Sequence, residues 1–517
     1  MQAPAEQAQM MQALNSAQST TDQRRAAGEW LKLNFAATAE QVWEMVQALN
    51  NPQSTPDQRR AADEWLKVYQ RSKGAWTTLD QLLRAQGLDP TGYFFAAQTL
   101  KSKVRKDMQQ LDPPSRDALA ATLMQYIQTF RHGPLNVRTQ LCLAFSTYAG
   151  EFDRGSKSDI VQNVCAALGG SPETVPVLLD LLSLLGEEAA RVQEDQNEFP
   201  PGEDHPLLVS ARASALPVLN FTHQCFEGVA PEDLVNRGNI VRCFTRWLRF
   251  GTVPPAQIVQ SPIVKYAFEG INKSQCEQLG ESSTELLCEL AYISSDLSVG
   301  QPIFQLLTSQ LGTLQKYHKK ALEDDDETLA RNVTRVVAEM AERYVNVLCE
   351  GSPDALNMVN FVISCASHSD TQIAVITYRF WYELLKALQG NAAERQRREA
   401  QLAPCILQLI PVFCKSAQFP EDCEEWSAES GEEDEFRNFR MEALFDAVLD
   451  VADMVSSEKC LHTLLPLLMQ QVDASAARGG AGWREVEVSP VSLAMFLHAC
   501  ARCLICSAVW FVPRPHK

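Results

Sequence analysis

Positive charge is scarce in this chain. Its 517 residues carry 46 Lys and Arg against 64 Asp and Glu, a formal net charge of −18. Nucleic-acid binding needs clustered Lys and Arg to neutralise phosphates, so that function class is disfavoured. The same imbalance repels anionic membrane surfaces and favours basic protein partners. Histidine is rarer still, with eight in the whole chain and no pair at zinc-ligand spacing. No nucleophile, base and orienting group can be assembled from so few, and no metal or cofactor site is read. The glycines form no phosphate-binding loop: Gly479-Gly480-Ala481-Gly482 follows no strand pattern and reads as a flexible linker. Met1 to Ala13 has neither a basic start nor an apolar run, so no secretory signal is expected. The sequons at Asn220, Asn272 and Asn332 are accordingly read as idle.

Cysteine is the exception to this poverty. There are 15, an odd count at irregular spacing, mostly inside apolar helical patterns such as those around Cys142, Cys165, Cys288 and Cys365. They read as reduced core thiols of a cytosolic or nuclear protein. Cys500, Cys503 and Cys506 approach a ferredoxin-type spacing, but no fourth cysteine follows. Small apolar thiols at helical spacing are the simpler reading.

What is present is period 3.6, with almost no strand-like alternation. From Ser171 to Leu185, a capping serine and a first-turn proline precede Val175, Leu178, Leu179, Leu182 and Leu185 on one stripe. Thr371 to Leu388 repeats the logic with Ile373, Ile376, Phe380, Leu384 and Leu388. Asn136 to Gln140 likewise opens an apolar helix through Leu141, Leu143 and Phe145. Such helices follow each other with short breaks over most of the chain. A helix pair cannot bury its apolar face alone and must stack on neighbours. The expected fold is therefore all-α, a HEAT-type α-solenoid, meaning a superhelical stack of antiparallel helix pairs; a compact bundle is the alternative.

One repeat is strong. Met10 to Lys32 matches Met45 to Lys67 at an offset of 35, with differences only at Met11/Val46, Ser16/Asn51, Ala17/Pro52, Thr21/Pro56 and Gly28/Asp63. Each copy carries a capping box, Thr20 with Gln23 and Thr55 with Gln58. The extra unit reads either as a recent duplication or as an artefact of assembling the coding sequence. Three segments read as loops: Gly186 to Pro206, Gln389 to Glu399, and the acidic Phe419 to Phe436. Glu421 to Glu435 holds nine carboxylates in fifteen residues, either a solvated loop or a docking surface for a basic protein. Glu323-Asp324-Asp325-Asp326-Glu327 reads as a helix start. Val491 to Val512 is apolar enough to suggest a tail anchor. An arginine at its middle, Arg502, costs roughly 2.5–3.5 kcal/mol on insertion scales. A buried helix is the competing reading, and a membrane partner is disfavoured.

Tyr93 to Lys103 (Tyr-Phe-Phe-Ala-Ala-Gln-Thr-Leu-Lys-Ser-Lys) resembles the second repeat of importin-β-type nuclear transport receptors of the transportin-SR and importin-thirteen group. Ala75-Trp76, Asp80 to Leu83, Phe244 to Gly251, Phe380 to Leu384, Phe436 to Arg440 and Gly482 to Glu487 fit the same group in order. The resemblance implies a non-catalytic HEAT superhelix, shuttling between cytoplasm and nucleus past nucleoporins. Such a receptor carries protein cargo, Ser/Arg-rich splicing factors among it, and releases it on binding the small GTPase Ran in its GTP state. It implies Ran contact by the second helices of the first repeats, here Asp57 to Ser72, Tyr93 to Arg105 and Leu135 to Glu151. Asp63, Gln98, Lys101 and Arg105 are the candidates there. It implies a second contact by acidic residues further on, here Glu421, Asp422, Glu424, Glu425, Glu432, Glu433, Asp434 and Glu435. The expected organisation is an additional helix pair at 1–38, importin-β-type repeats at 39–110, a HEAT array at 111–487 with the acidic loop at 419–436, and a divergent apolar tail at 488–517. After Glu487 the resemblance fades. The expectation is a truncated receptor that holds the GTPase-binding half without the arginine-rich helix that reads phosphorylated Ser-Arg cargo. A HEAT scaffold without Ran binding, or a tail-anchored helical protein, are the alternatives.

Overall fold

Helix starts are written into the loops. Thr20, Thr38 and Thr55 each accept a hydrogen bond at Oγ1 from the backbone N–H three residues on, at 3.2 Å. In return, Gln23, Gln41 and Gln58 accept from the threonine N–H at 2.9–3.0 Å. Two orphan donors are thereby satisfied at each of three helix starts. Further on, Asp89, Asp112, Asp159 and Ser352 cap, and Pro90, Pro113 and Pro353 occupy first-turn positions where no N–H is needed.

The computed structural model describes residues 2–16, 19–151, 159–195, 204–250, 253–273, 275–388, 392–418, 436, 438–455 and 457–477. Among the described residues there is no strand. The chain forms two compact units, Met1–Ala230 with Arg242–Thr252, and Pro231–Val241 with Val253–Lys517.

The first unit contains α1 (Gln2–Asn15), α2 (Thr21–Asn34), α3 (Ala39–Asn50), α4 (Pro56–Arg71), α5 (Ala75–Arg84), α6 (Pro90–Lys106), α7 (Pro113–Thr129), α8 (Leu135–Glu151), α9 (Ile160–Leu168), α10 (Val175–Glu194), α11 (Pro206–Gly228) and the C-terminal part of α12 (Leu234–Leu248). Consecutive helices pair, α1 with α2, α3 with α4, α5 with α6, α7 with α8 and α9 with α10. The second helices form a continuous layer in which α2 packs on α4, α4 on α6, α6 on α8 and α8 on α10. The first helices form the other layer, with α3 on α5, α7 on α9 and α9 on α11. This ladder is the repeat architecture expected from the hydrophobic period.

The second unit contains α13 (Pro255–Ile258), α14 (Pro262–Gly270), α15 (Glu277–Ile293), α16 (Leu297–Ser309), α17 (Leu311–Asp324), α18 (Glu327–Arg343), α19 (Val345–Leu348), α20 (Pro353–Ala366), α21 (Thr371–Ala374), α22 (Tyr378–Leu388), α23 (Ala392–Ile406), α24 (Leu409–Ser416), α25 (Phe445–Met454) and α26 (Ser457–Ala477). It repeats the scheme: α15 packs on α18, α18 on α22 and α22 on α25, while α14 pairs with α15 and α17 with α18.

The two near-identical copies fold alike. Arg24 donates to Ser16 O at 2.9 Å, and Arg59 donates to Asn51 O at 3.1 Å, the same bond displaced by one repeat. An aromatic row then joins successive pairs: Phe35 lies edge-on to Trp65 at 5.3 Å, Trp65 stacks with Tyr69, and Tyr69 with Phe95.

Behind α4 sits a buried lysine. Lys103 is 1% exposed. Its ammonium donates to Ser72 O at 2.8 Å, Gln110 Oε1 at 3.0 Å, Gln70 O at 3.3 Å and Asp107 Oδ2 at 3.3 Å, and lies 5.1 Å from the Trp76 ring centroid. Gln110 in turn donates to Arg71 O. The carbonyls at the C-terminal end of α4, which no helical N–H can reach, are thus closed by one cation and one amide. Burial pulls the Lys103 pKa below its usual value, and Asp107 opposes the fall.

Two expected loops are helical. Gly186 to Glu194 continues α10, with Gly186, Ala189 and Val192 buried. Ala392 to Glu399 begins α23, tied by Arg397 and Arg398 to Glu350 at 2.9 and 2.6 Å. In both, the charges that suggested solvent are spent on ion pairs. The Glu323–Glu327 cluster straddles a break: Asp324 ends α17, Asp325 adopts a left-handed backbone (φ 56°), and Asp326 caps α18 by accepting from Leu329 N at 2.9 Å. The stretch from Thr371 to Leu388 is interrupted by a 3₁₀ turn at Val375–Thr377. Among the described residues the cysteines form no disulfide, no helix is long and apolar enough to cross a membrane, and Asn220, Asn272 and Asn332 are helical or turn positions. Gly479–Gly482, the three tail cysteines, the segment Val491–Val512 and Gly482–Glu487 lie outside the described residues.

Replacing Lys103 with Met leaves its acceptors unpaired, so the first unit is expected to lose about 2–4 kcal/mol, read as a lower denaturant midpoint for that unit. In the second unit, His318 is 3% exposed, edge-on to Phe361 at 5.6 Å, and burial lowers its pKa from 6.5 to about 4, helped by His368. A depressed histidine pKa means stability present above the unfolded value and lost as pH falls from 6.5 towards 4. Urea midpoints at pH 7 and pH 4.5 should therefore differ more for the native chain than for H318F, and equal slopes would contradict this.

Candidate partner-binding face

Within the second-helix layer of the first unit, α4 and α6 present polar and charged side chains. On α6, Gln98 and Arg105 are exposed and Lys101 half-buried, while Ala97, Leu100, Lys103 and Val104 turn inward. Spacings of three and four residues separate the two sets, as the helical period requires. On α4, Asp63 is half-buried and binds Lys67 at 2.6 Å. Gln70 of α4 donates to Thr99 of α6 at 3.1 Å, which fixes the two helices side by side. The structure therefore brings Asp63, Gln98, Lys101 and Arg105 onto adjacent helices of one layer. Burial raises the pKa of Glu151 on α8, opposed by the charges of Arg191 and Arg105.

The charge pattern continues onto α10 and α12 through residues that the sequence reading missed. Asp180 accepts from Arg138 of α8 at 2.9 Å and from Arg242 of α12 at 3.2 Å. Its side chain is 16% exposed. Glu187 accepts from Arg246 at 3.0 Å, and Glu194 lies 3.9 Å from Arg249. An acidic stripe on α10, Asp180, Glu187 and Glu194, thus faces basic residues on α12, Arg242 and Arg246, and Arg249 in the turn after it. Gly186 makes the close approach possible: a Cβ there would lie 3.0 Å from Arg246 Cβ and 3.3 Å from Trp247 Nε1. The buried Trp247 indole donates to Leu182 O at 2.9 Å, sealing the same contact.

The corresponding layer of the second unit is richer in carboxylates. Glu342 of α18 pairs with Arg379 at 3.4 Å, and burial followed by the Glu339 charge lifts its pKa to about 7. Asp450 of α25 rises to about 6 through burial and the neighbouring Asp446 and Asp453. Arg343 lies over the Tyr292 ring at 4.8 Å. The acidic candidates Glu421, Asp422, Glu424, Glu425, Glu432, Glu433, Asp434 and Glu435 lie outside the described residues. Among the described residues no group of His, Cys, Asp or Glu is placed to hold a metal.

Stacked helix pairs in two layers define a HEAT-type solenoid protein. Comparison with known proteins narrows this. Residues 323–415 match the model described as "Transportin-3/Importin-13 second TPR domain", and residues 134–287 match "Exportin 1-like protein". Transportin MOS14 of Arabidopsis thaliana is 27% identical over 441 residues, covering 81% of this chain and 44% of that protein. The mRNA transport regulator MTR10 of Saccharomyces cerevisiae is 26% identical, covering 82% and 43%, and human Importin-13 is 24% identical, covering 75% and 40%. A solved structure titled "Importin13 cytosolic state" superposes with a TM-score of 0.56 at 15% identity, over 78% of this chain and 46% of that one, which speaks to the fold alone. Over most of its length the chain is similar to importin-β-type transport receptors of the importin-13/transportin group. It spans less than half the length of these curated relatives.

Asp180→Ala strips the counter-charge from two arginines on neighbouring helices. It is expected to cost about 2–3 kcal/mol and to raise amide exchange in α8, α10 and α12 together. Exchange confined to α10 would argue against a ladder joining the three.

Proposed function

We propose that this chain supplies the GTPase-responsive part of a nuclear import receptor, binding Ran in its GTP state through the second helices α4, α6 and α8. The observation that carries the reading is the exposed polar row on α4 and α6, set in one continuous helix layer of a chain similar to the importin-13/transportin group. The chemistry suits a protein partner: long side chains on a rigid scaffold offer ion pairs and hydrogen bonds to a folded surface. The acidic run from Glu421 to Glu435, nine carboxylates in fifteen residues, supports a second contact with a basic surface. On this reading the chain shuttles between cytoplasm and nucleus and takes protein cargo.

The test is a pull-down of purified Ran loaded with GTP or GDP by the folded full chain. Capture of the GTP form only is expected. K101E with R105E should weaken capture about tenfold with unchanged circular dichroism. Capture independent of nucleotide would point instead to a HEAT scaffold without a GTPase switch.

A further inference from the structure

The duplicated helix pair repeats more than a fold. On α4, Asp57, Arg60, Glu64 and Lys67 recur at steps of three and four residues and are all exposed. On α2, Asp22, Arg25, Glu29 and Lys32 stand at the equivalent positions, 35 residues earlier, and are also all exposed. Since α2 packs on α4 within one helix layer, two copies of the same alternating charge row lie side by side. The bond from Arg24 to Ser16 O and its counterpart from Arg59 to Asn51 O give both helices the same setting on their turns, so the copies match in orientation as well as in sequence.

We infer that α2 is a second edition of the α4 contact row and extends the GTPase-binding face by one helix. The inference rests on the proposed binding by α4, α6 and α8. It concerns the helix pair that precedes them and reads that pair as part of the binding surface rather than as an inert cap. The row on α2 is available at small cost. Its internal pairs, Arg25 with Asp22 at 3.2 Å and Lys32 with Glu29 at 3.1 Å, are solvent-exposed. Such pairs contribute little and re-partner readily when a complementary surface arrives.

Beside the rows, the two repeated stretches differ in one charge. Gly28 stands where α4 has Asp63. Lys67 therefore pairs with Asp63, whereas Lys32 has turned to Glu29. Without that carboxylate, the stretch Asp22–Lys32 carries three basic side chains (Arg24, Arg25, Lys32) against two acidic ones (Asp22, Glu29), while the equivalent stretch Asp57–Lys67 is balanced at three each. Within that stretch the copy favours acidic positions on the partner more than the original does. There is room to restore the missing group: a Cβ at Gly28 would meet only Leu14 Cδ1, at 3.8 Å.

The experiment compares GTP-loaded Ran binding by the full chain, by R25E/K32E, by R60E/K67E and by G28D, with thermal melts of each. R25E/K32E is expected to bind about threefold to tenfold more weakly at unchanged melting temperature, in the same direction as R60E/K67E. G28D, which rebuilds the balanced stretch, should reduce the salt sensitivity of binding towards that of an α4-only contact. If R60E/K67E weakens binding and R25E/K32E binds like the parent chain, the α2 row is no contact and the inference fails while the α4 reading stands. If the parent chain does not bind the GTP form at all, both fall together.

Discussion

A single buried cation sets the geometry of the N-terminal stack. Lys103 reaches from α6 to the carbonyl end of α4 and to the turn after α6, and it is almost wholly removed from water. Taking an ammonium out of water costs several kcal/mol, which is recovered only because four acceptors and the face of Trp76 surround it. A site this demanding admits one arrangement of α4, α6 and the following turn. The polar row on the opposite side of α6 inherits its placement from that arrangement, since Lys101 and Arg105 flank Lys103 on the same helix. Fixing the buried side of a helix fixes what its outer side can present.

From α8 to α12 the same task falls to paired arginines. Asp180 holds two of them, one from each neighbouring helix. Glu187 and Glu194 extend the contact along the α10 axis. Solenoids have few long-range contacts, so the angle between successive pairs depends on such cross-helix links. The links here are ionic and partly exposed, weaker than a packed apolar seam and sensitive to salt.

The repeat architecture was legible because each layer of evidence agreed. Thr20, Gln23, Thr55 and Gln58 announce helix starts by local chemistry alone, and the stripe through Leu178, Leu182 and Leu185 announces a buried face. The helical stretches Gly186 to Glu194 and Ala392 to Glu399 were obscured by charge, because sequence does not reveal that Glu187 meets Arg246 or that Glu350 meets Arg397 across a gap in the chain. A sevenfold acidic spacing on α10 against the basic spacing on α12 was the available signal. Lys103 was illegible for a simpler reason: lysine is ordinarily a surface residue, and two of its four acceptors are backbone carbonyls that no side-chain pattern records. The face formed by Asp63, Gln98, Lys101 and Arg105 was reached through resemblance to a family, and the helix layer then accounts for why those residues stand together.

The central claim is that the second-helix layer of the first unit is where a GTPase docks. Hydrogen–deuterium exchange on the full chain, with and without GTP-loaded Ran, tests it most directly. Slowed exchange within 57–71, 90–106 and 135–151, absent with GDP-loaded Ran, is the predicted result; complex formation that leaves those segments unchanged while protecting the first-helix layer would contradict it.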